Sequence, residues 1–248
     1  MSKRAPLTPD RILFPAIAKS AAPLRQQVLD GLRDSIVHGR LAPGERLVER
    51  ELIDLVGVSR TVIREVLRQL ESEGLIHVVP NKGAVVRQLS LADARDLYAI
   101  RGVLEGLAAR LFVDNADKAR IGQLEEALAT TIESYRGGDP DRILATKNSF
   151  YEILFAGSGS ETLSSMLTLV HARIWRWRAL GLAHPRRSRQ RSKESIAGLR
   201  ALVGAIKKGD AAGAETVARR EVANAAAEIV RLLESEDGER PAALPTAD

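Results

Sequence analysis

The chain of 248 residues contains no cysteine. That absence removes disulfides, thiolate metal sites, iron–sulfur clusters and cysteine nucleophiles together, and it fits a reducing compartment. No run of about 18 apolar residues occurs, and the polar N-terminal stretch lacks the apolar core of a signal peptide, so nothing is expected to span a membrane and the cytoplasm is the expected location. A large charge excess is missing too: the net charge of +5 permits a nucleic-acid partner without requiring one. What remains is 45% hydrophobic and 28% charged residues, enough for a proper core, in a length that suggests about two domains.

Residues 1–22 mix Pro, Lys, Arg and Ser with little apolar content and read as a flexible arm. A first domain is expected over 23–89. Leu24, Val28, Leu32 and Ile36 recur every four residues, one face of a helix that ends near His38 with Gly39 as a left-handed cap. "LAPGERLV" (41–48) holds a Pro-Gly turn, and Glu49 to Val56 makes a short second helix stopped by Gly57. Ser59 then caps a third, which Gly74 ends. "LIHVV" and "AVVR" around "PNKG" (80–83) form a β-hairpin whose glycine permits positive φ. Three helices and a hairpin make a winged helix-turn-helix.

The third helix lies within "GVSRTVIREVLRQLESEGLI" (57–76), where Val62, Ile63, Val66, Leu67 and Leu70 gather on one side and Arg60, Thr61, Arg64 and Arg68 on the other. Taken alone, that pattern fits either a solvated face or a surface for a polyanion. Total charge does not decide, because Glu49, Glu51, Glu65, Glu71 and Glu73 nearly balance the bases. As a major-groove reader, Arg60 and Arg64 suit bidentate bonds to guanine or phosphate. Ser59 and Thr61 suit phosphate, and Asn81 and Lys82 on the wing reach a neighbouring groove.

The run "LRDSIVHGRLAPGERLVERELIDLVGVSRTVIREVLRQLESEGLIHVVPNKGAVV" (32–86) resembles the DNA-binding domain of GntR-family transcriptional regulators. The resemblance implies operator contacts at Arg50, Ser59, Arg60, Thr61 and Arg64, and at the wing around Asn81, Lys82 and Gly83. Val62-Ile63 stands where the family often has Pro-Val; a proline there only starts a helix, so little changes.

From Ser90, a cap with Asp93 three residues on, to about residue 235 the chain reads as helices broken by "DNAD", "RGGDP", "AGSGS" and "KKGD". Apolar stripes run through Leu97, Ile100, Leu104, Leu107 and Leu111; Ile121, Leu124, Leu128, Ile132 and Tyr135; Leu163, Leu167, Val170, Ile174 and Trp177; and two later helices. Short links give an antiparallel all-α bundle. Residues 236–248, rich in Glu, Pro and Ala, are expected to be disordered. The fold class is therefore mainly α, a winged helix-turn-helix followed by a helical bundle.

Through "LYAIRGVLEGLAARL" (97–111), "FYEILFAGSGS" (150–160) and "AIKKGDAAGAETVARREV" (205–222), this half resembles the ligand-sensing FCD domain of the FadR subfamily. Many members hold a divalent metal with one aspartate and three histidines; at those positions this sequence has Lys147, Tyr151, Leu199 and Glu221. No metal or other cofactor is expected there. The same four residues, with Arg101, are the expected effector site. By spacing, Lys147 and Glu221 point inward, so the Lys147 ammonium is expected near the lost metal, paired with Glu221 or with an acidic effector; the competing reading has both snorkelling to solvent. Arg101 either grips a carboxylate or pairs with Glu105 one turn on. Trp177 sits on a core stripe and Trp175 off it. "HPRRSRQRSK" (184–193) reads as a basic loop, solvated in preference to touching DNA.

Together these features predict a homodimeric, non-enzymatic regulator, a repressor by preference. It binds double-stranded DNA and answers to a small molecule, an organic acid if Lys147 is free. Two other classes remain: an architectural DNA-binding protein without effector, and a helical enzyme using Lys147, Tyr151 and Glu221.

Overall fold

A computed structural model describes residues 24–88 and 90–237, and the chain divides into two compact units, 1–89 and 90–248. The arm expected over 1–22 and the tail beyond residue 237 lie outside the described residues.

In the first unit, α1 (Leu24–Val37) buries Val28, Leu29, Leu32 and Ile36. Leu24, counted on that stripe from its spacing, is 40% exposed, at the first residue of the helix. Gly39 has φ +73°, the left-handed conformation that stops the helix. The Pro-Gly turn delivers a short strand, β1 (Arg46–Leu47), that the sequence reading missed. Helix α2 (Glu49–Val56) ends at Gly57, also left-handed. Ser59 Oγ accepts from the Val62 backbone N–H and opens α3 (Arg60–Ser72). Strands β2 (Ile76–Val79) and β3 (Gly83–Val86) form the hairpin, and β1 pairs antiparallel with β3 to give a three-stranded sheet in the order β1-β3-β2.

One core holds this unit together, with Val28, Leu32, Leu41, Leu52, Ile63, Val66 and Leu70 all fully buried. Each such side chain contributes on the order of 1.5–3 kcal/mol. Val62, assigned to the apolar side, is only partly buried at its edge. Arg33 donates through Nε and Nη2 to the two oxygens of Glu73, at 2.9 and 2.6 Å, joining α1 to the end of α3.

The second unit consists of α4 (Leu91–Asn115), α5 (Lys118–Gly137), α6 (Pro140–Gly157), α7 (Glu161–Ala183), α8 (Arg189–Lys207) and α9 (Ala211–Asp237). The helix starts follow the chemistry of their caps. Ser90 and Asp93 form a capping box, Asp117, Ser160 and Ser188 each accept from the first turn, and Asp139 does so with Pro140 at the first helical position. Helix α4 packs along α9 and also meets α6, α7 and α8.

The buried face of α4 differs in part from the stripe expected for it. Ile100 and Leu107 are 50% and 40% exposed, whereas Tyr98, Arg101, Glu105, Ala108, Ala109 and Phe112 point inward. Leu97 is buried, and Leu104 and Leu111 pack against the core, so the large apolar letters found part of this face; the rest of it is built from alanine, an ion pair and two rings.

Candidate functional site

The first unit presents a groove of about 580 Å³, lined in part by Arg46 of β1, Glu49 and Arg50 of α2, Arg60, Arg64 and Arg68 of α3, and Lys82 and Gly83 of the wing. Helix α3 supplies three of these arginines because its apolar residues fix which side meets the core. Arg60, Thr61, Arg64 and Arg68 are exposed, as are Ser59, Asn81, Lys82 and Gly83. Ser59, Thr61 and Asn81 do not line the groove itself. The wing turns through Asn81 at φ +62° and Gly83 at φ +80°, both left-handed. Arg50 lies 3.9 Å from Asp54 and stays almost wholly exposed, while Arg64 Nε donates to Glu49 at 3.1 Å. Arg46 was not anticipated; it pairs with Val85 on β3 and its side chain is exposed.

The second unit holds a partly open cavity of about 60 Å³, several times the roughly 10–15 Å³ that one water needs. Of the five residues expected there, Arg101, Lys147, Tyr151 and Glu221 line it. Leu199 does not: it is 1% exposed and packs into the hydrophobic core of the bundle. The remaining polar wall comes from side chains that sequence reasoning passed over, among them Arg178, Arg187, Arg191, Ser195 and Tyr135. The expected basic loop is shorter than read, because α8 begins at Arg189; Arg187 stacks over the Tyr135 ring and Arg191 is buried.

Two charged clusters face this cavity. In the first, Arg101 Nε donates to Glu105 Oε1 at 2.6 Å, and His171 Nε2 lies 2.5 Å from the same oxygen. Arg178 Nη1 lies 3.1 Å from His171 Nδ1 and 2.6 Å from Asn148 Oδ1. The arrangement fixes the tautomer: Nε2–H donates to the carboxylate, and Nδ1 accepts from the guanidinium. Burial pulls His171 down to about 3, aided by the Arg178 charge, against the pull of its bond to Glu105. Burial alone would lift Glu105, but the Arg101 charge and the His171 hydrogen bond outweigh it and bring the carboxyl to about 2. Arg178, desolvated and near Arg101, falls to about 10. The guanidinium groups of Arg101 and Arg178 lie over the Tyr151 ring at 5.5 and 5.8 Å, and burial pushes the Tyr151 phenol up, so it stays protonated.

In the second cluster, Glu221 Oε1 accepts from Ser195 Oγ at 2.8 Å and Arg191 Nη2 at 3.0 Å. The Lys147 ammonium lies 3.9 Å from that oxygen and donates to Ser195 at 3.0 Å, and Tyr135 OH donates to the same hydroxyl. The carboxylate is therefore held chiefly by Arg191 and Ser195, with Lys147 reaching it through the serine. Gly198 is what admits Glu221, since a Cβ there would stand 2.7 Å from Oε2.

The donors present do not fit a divalent ion. Leu199 offers no lone pair, Lys147 brings a cation, and Glu221 is already bonded to a guanidinium. Among the described residues no three of His, Cys, Asp and Glu come together in a metal-holding group. No described helix is long and apolar enough to cross a membrane.

Comparison with known proteins adds the following. The FCD domain family matches residues 96–224, and the family described as bacterial regulatory proteins, gntR family, matches residues 24–86. The chain is 34% identical over 150 residues, 60% of its length and 67% of the relative's, to the HTH-type transcriptional regulator YdhC of Bacillus subtilis (strain 168). It is 31% identical over 132 residues, 53% of its length and 58% of the relative's, to the HTH-type transcriptional repressor RspR of Escherichia coli (strain K12). In fold it is similar to the solved structure of E. coli McbR/YncC, with a TM-score of 0.71 at 24% identity, over 87% of this chain and 99% of that one.

Proposed function

We propose, since this chain belongs to the gntR family of bacterial regulatory proteins and carries that family's FCD domain, that it is a cytoplasmic homodimeric repressor released from DNA by a small organic acid. Two winged heads related by the dimer axis read the halves of a roughly palindromic operator. Arg60 and Arg64 of α3 read bases, Arg50, Ser59 and Thr61 hold phosphate, and Asn81, Lys82 and Gly83 of the wing reach the neighbouring groove. An apolar face on α4, where Ile100, Val103 and Leu107 are each 40% exposed or more, supports the dimer.

The observation that carries the effector reading is the excess of positive charge around the cavity. Arg101, Lys147, Arg178, Arg187 and Arg191 line it, against the carboxylates of Glu221 and Glu228 on the same wall and of Glu105 beside Arg101. Such an arrangement costs stability unless something negative enters. The cavity holds no metal in this reading, and Lys147, Tyr151 and Glu221 serve recognition; the chain is not an enzyme. The effector acts to the extent that it prefers one arrangement of the bundle over another.

Footprinting of the full-length protein on its own upstream DNA tests the proposal. Protection of a two-fold-symmetric site, with affinity that falls steeply as salt rises, is the expected result. Equal affinity for random fragments at low salt contradicts it.

A further inference from the structure

Two exposed arginines of the first unit, Arg46 on β1 and Arg68 on α3, line the same groove, and the reading above gives neither of them a role. With Arg60 and Lys82 they form a set that makes no ion pair or side-chain hydrogen bond among the described residues. Elsewhere on the unit the cations are held, Arg33 by Glu73 and Arg40 by Asp34. The groove's two carboxylates are already engaged, Glu49 by Arg64 and Glu71 by the Val78 backbone N–H at 3.2 Å. Free positive charge is thus concentrated where α3 and the sheet face one opening, which is the pattern that draws a polyanion. Leu47, Leu67 and Ala84, all buried, supply hydrocarbon to the same lining.

Helix geometry separates Arg68 from the arginines assigned to bases. Arg60, Arg64 and Arg68 stand four residues apart in one row along α3, so the first and last differ by about 12 Å of helical rise. The major groove of DNA is only about 8.5 Å deep. A helix that sets Arg60 on base edges with its N-terminal end therefore holds Arg68 at the level of the sugar-phosphate rail. Arg46 reaches the same groove from the sheet, where β1 pairs with β3. Resting on the DNA-binding reading above, we infer that this groove seats one backbone strand of the duplex, its phosphates held by Arg46 and Arg68 and its sugars against Leu47, Leu67 and Ala84. The pair sets affinity and register and carries no sequence preference, which stays with Arg60 and Arg64. A free oxyanion would use the cations and leave the hydrocarbon uncovered.

Anisotropy titrations of the full-length protein with operator and scrambled duplexes, repeated across a series of salt concentrations, test this. Arg46→Gln and Arg68→Gln should each lower the slope of log affinity against log salt by about 0.9, one phosphate's worth. Each should weaken both duplexes by the same several-fold factor and leave their ratio unchanged, whereas Arg60→Gln narrows the ratio. Arg46→Lys and Arg68→Lys keep the charge and should keep the slope. Methylphosphonate placed at single phosphates across the footprint locates the seat: neutralising the seated phosphate should weaken the wild type and spare the double variant Arg46→Gln with Arg68→Gln. Wild-type slopes in both glutamine variants, a loss confined to the operator, or no phosphate whose neutralisation spares the double variant overturns the inference. So does displacement of the duplex by inorganic phosphate at constant ionic strength, or tighter binding of double-stranded RNA of the operator sequence. A wild type that prefers its operator while any of these results holds leaves the regulator intact and removes the phosphate seat. A wild type with no preference for any duplex overturns the regulator itself.

Discussion

Glu49 Oε2 lies 3.1 Å from Nε of Arg64, so the arginine proposed to read a base is already paired before any duplex arrives. The two sit on different helices, α2 and α3, and both are substantially exposed. The pair is therefore weak, on the order of 0–1 kcal/mol, and it orients the guanidinium more than it restrains it.

Glu49→Gln should free Arg64 and remove a negative charge from the groove. Affinity for random DNA at low salt should rise by roughly two- to tenfold while preference for the operator falls. Fluorescence anisotropy with operator and scrambled duplexes checks both. An unchanged ratio of the two affinities would mean that Glu49 has no part in setting the geometry of Arg64.

Gly157, at the end of α6, faces the fully buried ring of Phe112; a Cβ on it would come within 2.2 Å of Phe112 Cε2. Gly157→Ala should destabilise the helical bundle by roughly 1–3 kcal/mol through overpacking. Thermal unfolding of the full chain by calorimetry reads this as a lower bundle transition, with the winged head little affected.

His171, its pKa lowered to about 3, is neutral in the fold across the physiological range. Its ordinary value of 6.5 in the unfolded chain then fixes the sign: the stability it contributes is complete above about pH 6.5 and is lost as pH falls toward 3. Glu105, lowered to about 2, adds to the loss at the acidic end. The His171 ring proton signals should stay fixed from about pH 8 to about pH 5 in NMR spectra, and the bundle melting temperature should drop over that span. His171→Gln should flatten the upper part of that drop. A ring that titrates near its ordinary value would contradict the buried network.

Val103→Glu places a charge in the middle of the exposed apolar face of α4. If that face joins two copies, light scattering should report about half the wild-type mass at micromolar concentration, with unchanged helix content. A dimer that survives the change would move the interface elsewhere.

Much of the fold was readable because local chemistry and periodicity agreed. Ser59, Ser90, Asp117 and Asp139 cap helices where hydroxyl and carboxylate caps are favoured, and α3 segregates its arginines from its aliphatics. Strand β1 was not readable, since two residues carry no period and their pairing with β3 is a tertiary fact. The polar part of the inner face of α4 escaped for a different reason. Arg101 and Glu105 look like a surface pair by spacing, and only His171 and Tyr151, distant in sequence, close over them. Arg178 and Arg191 look like solvated helix residues, and the basic stretch 184–193 like a loop. Nothing local says that Arg191 turns inward to Glu221, although Glu221 was legible as an inward charge that needed a partner. Leu199, placed by resemblance at a ligand position, was plain in its chemistry: a leucine at that position packs as core.

The central claim is that filling the bundle cavity changes how tightly the winged heads hold DNA. Anisotropy titrations of the operator, with and without saturating butanoate, compare the wild-type chain with Lys147→Met. The account predicts that butanoate weakens wild-type binding by about tenfold, whereas the variant binds the operator with wild-type affinity and ignores butanoate at the same concentration. Wild-type binding of the operator that butanoate leaves unchanged would contradict it.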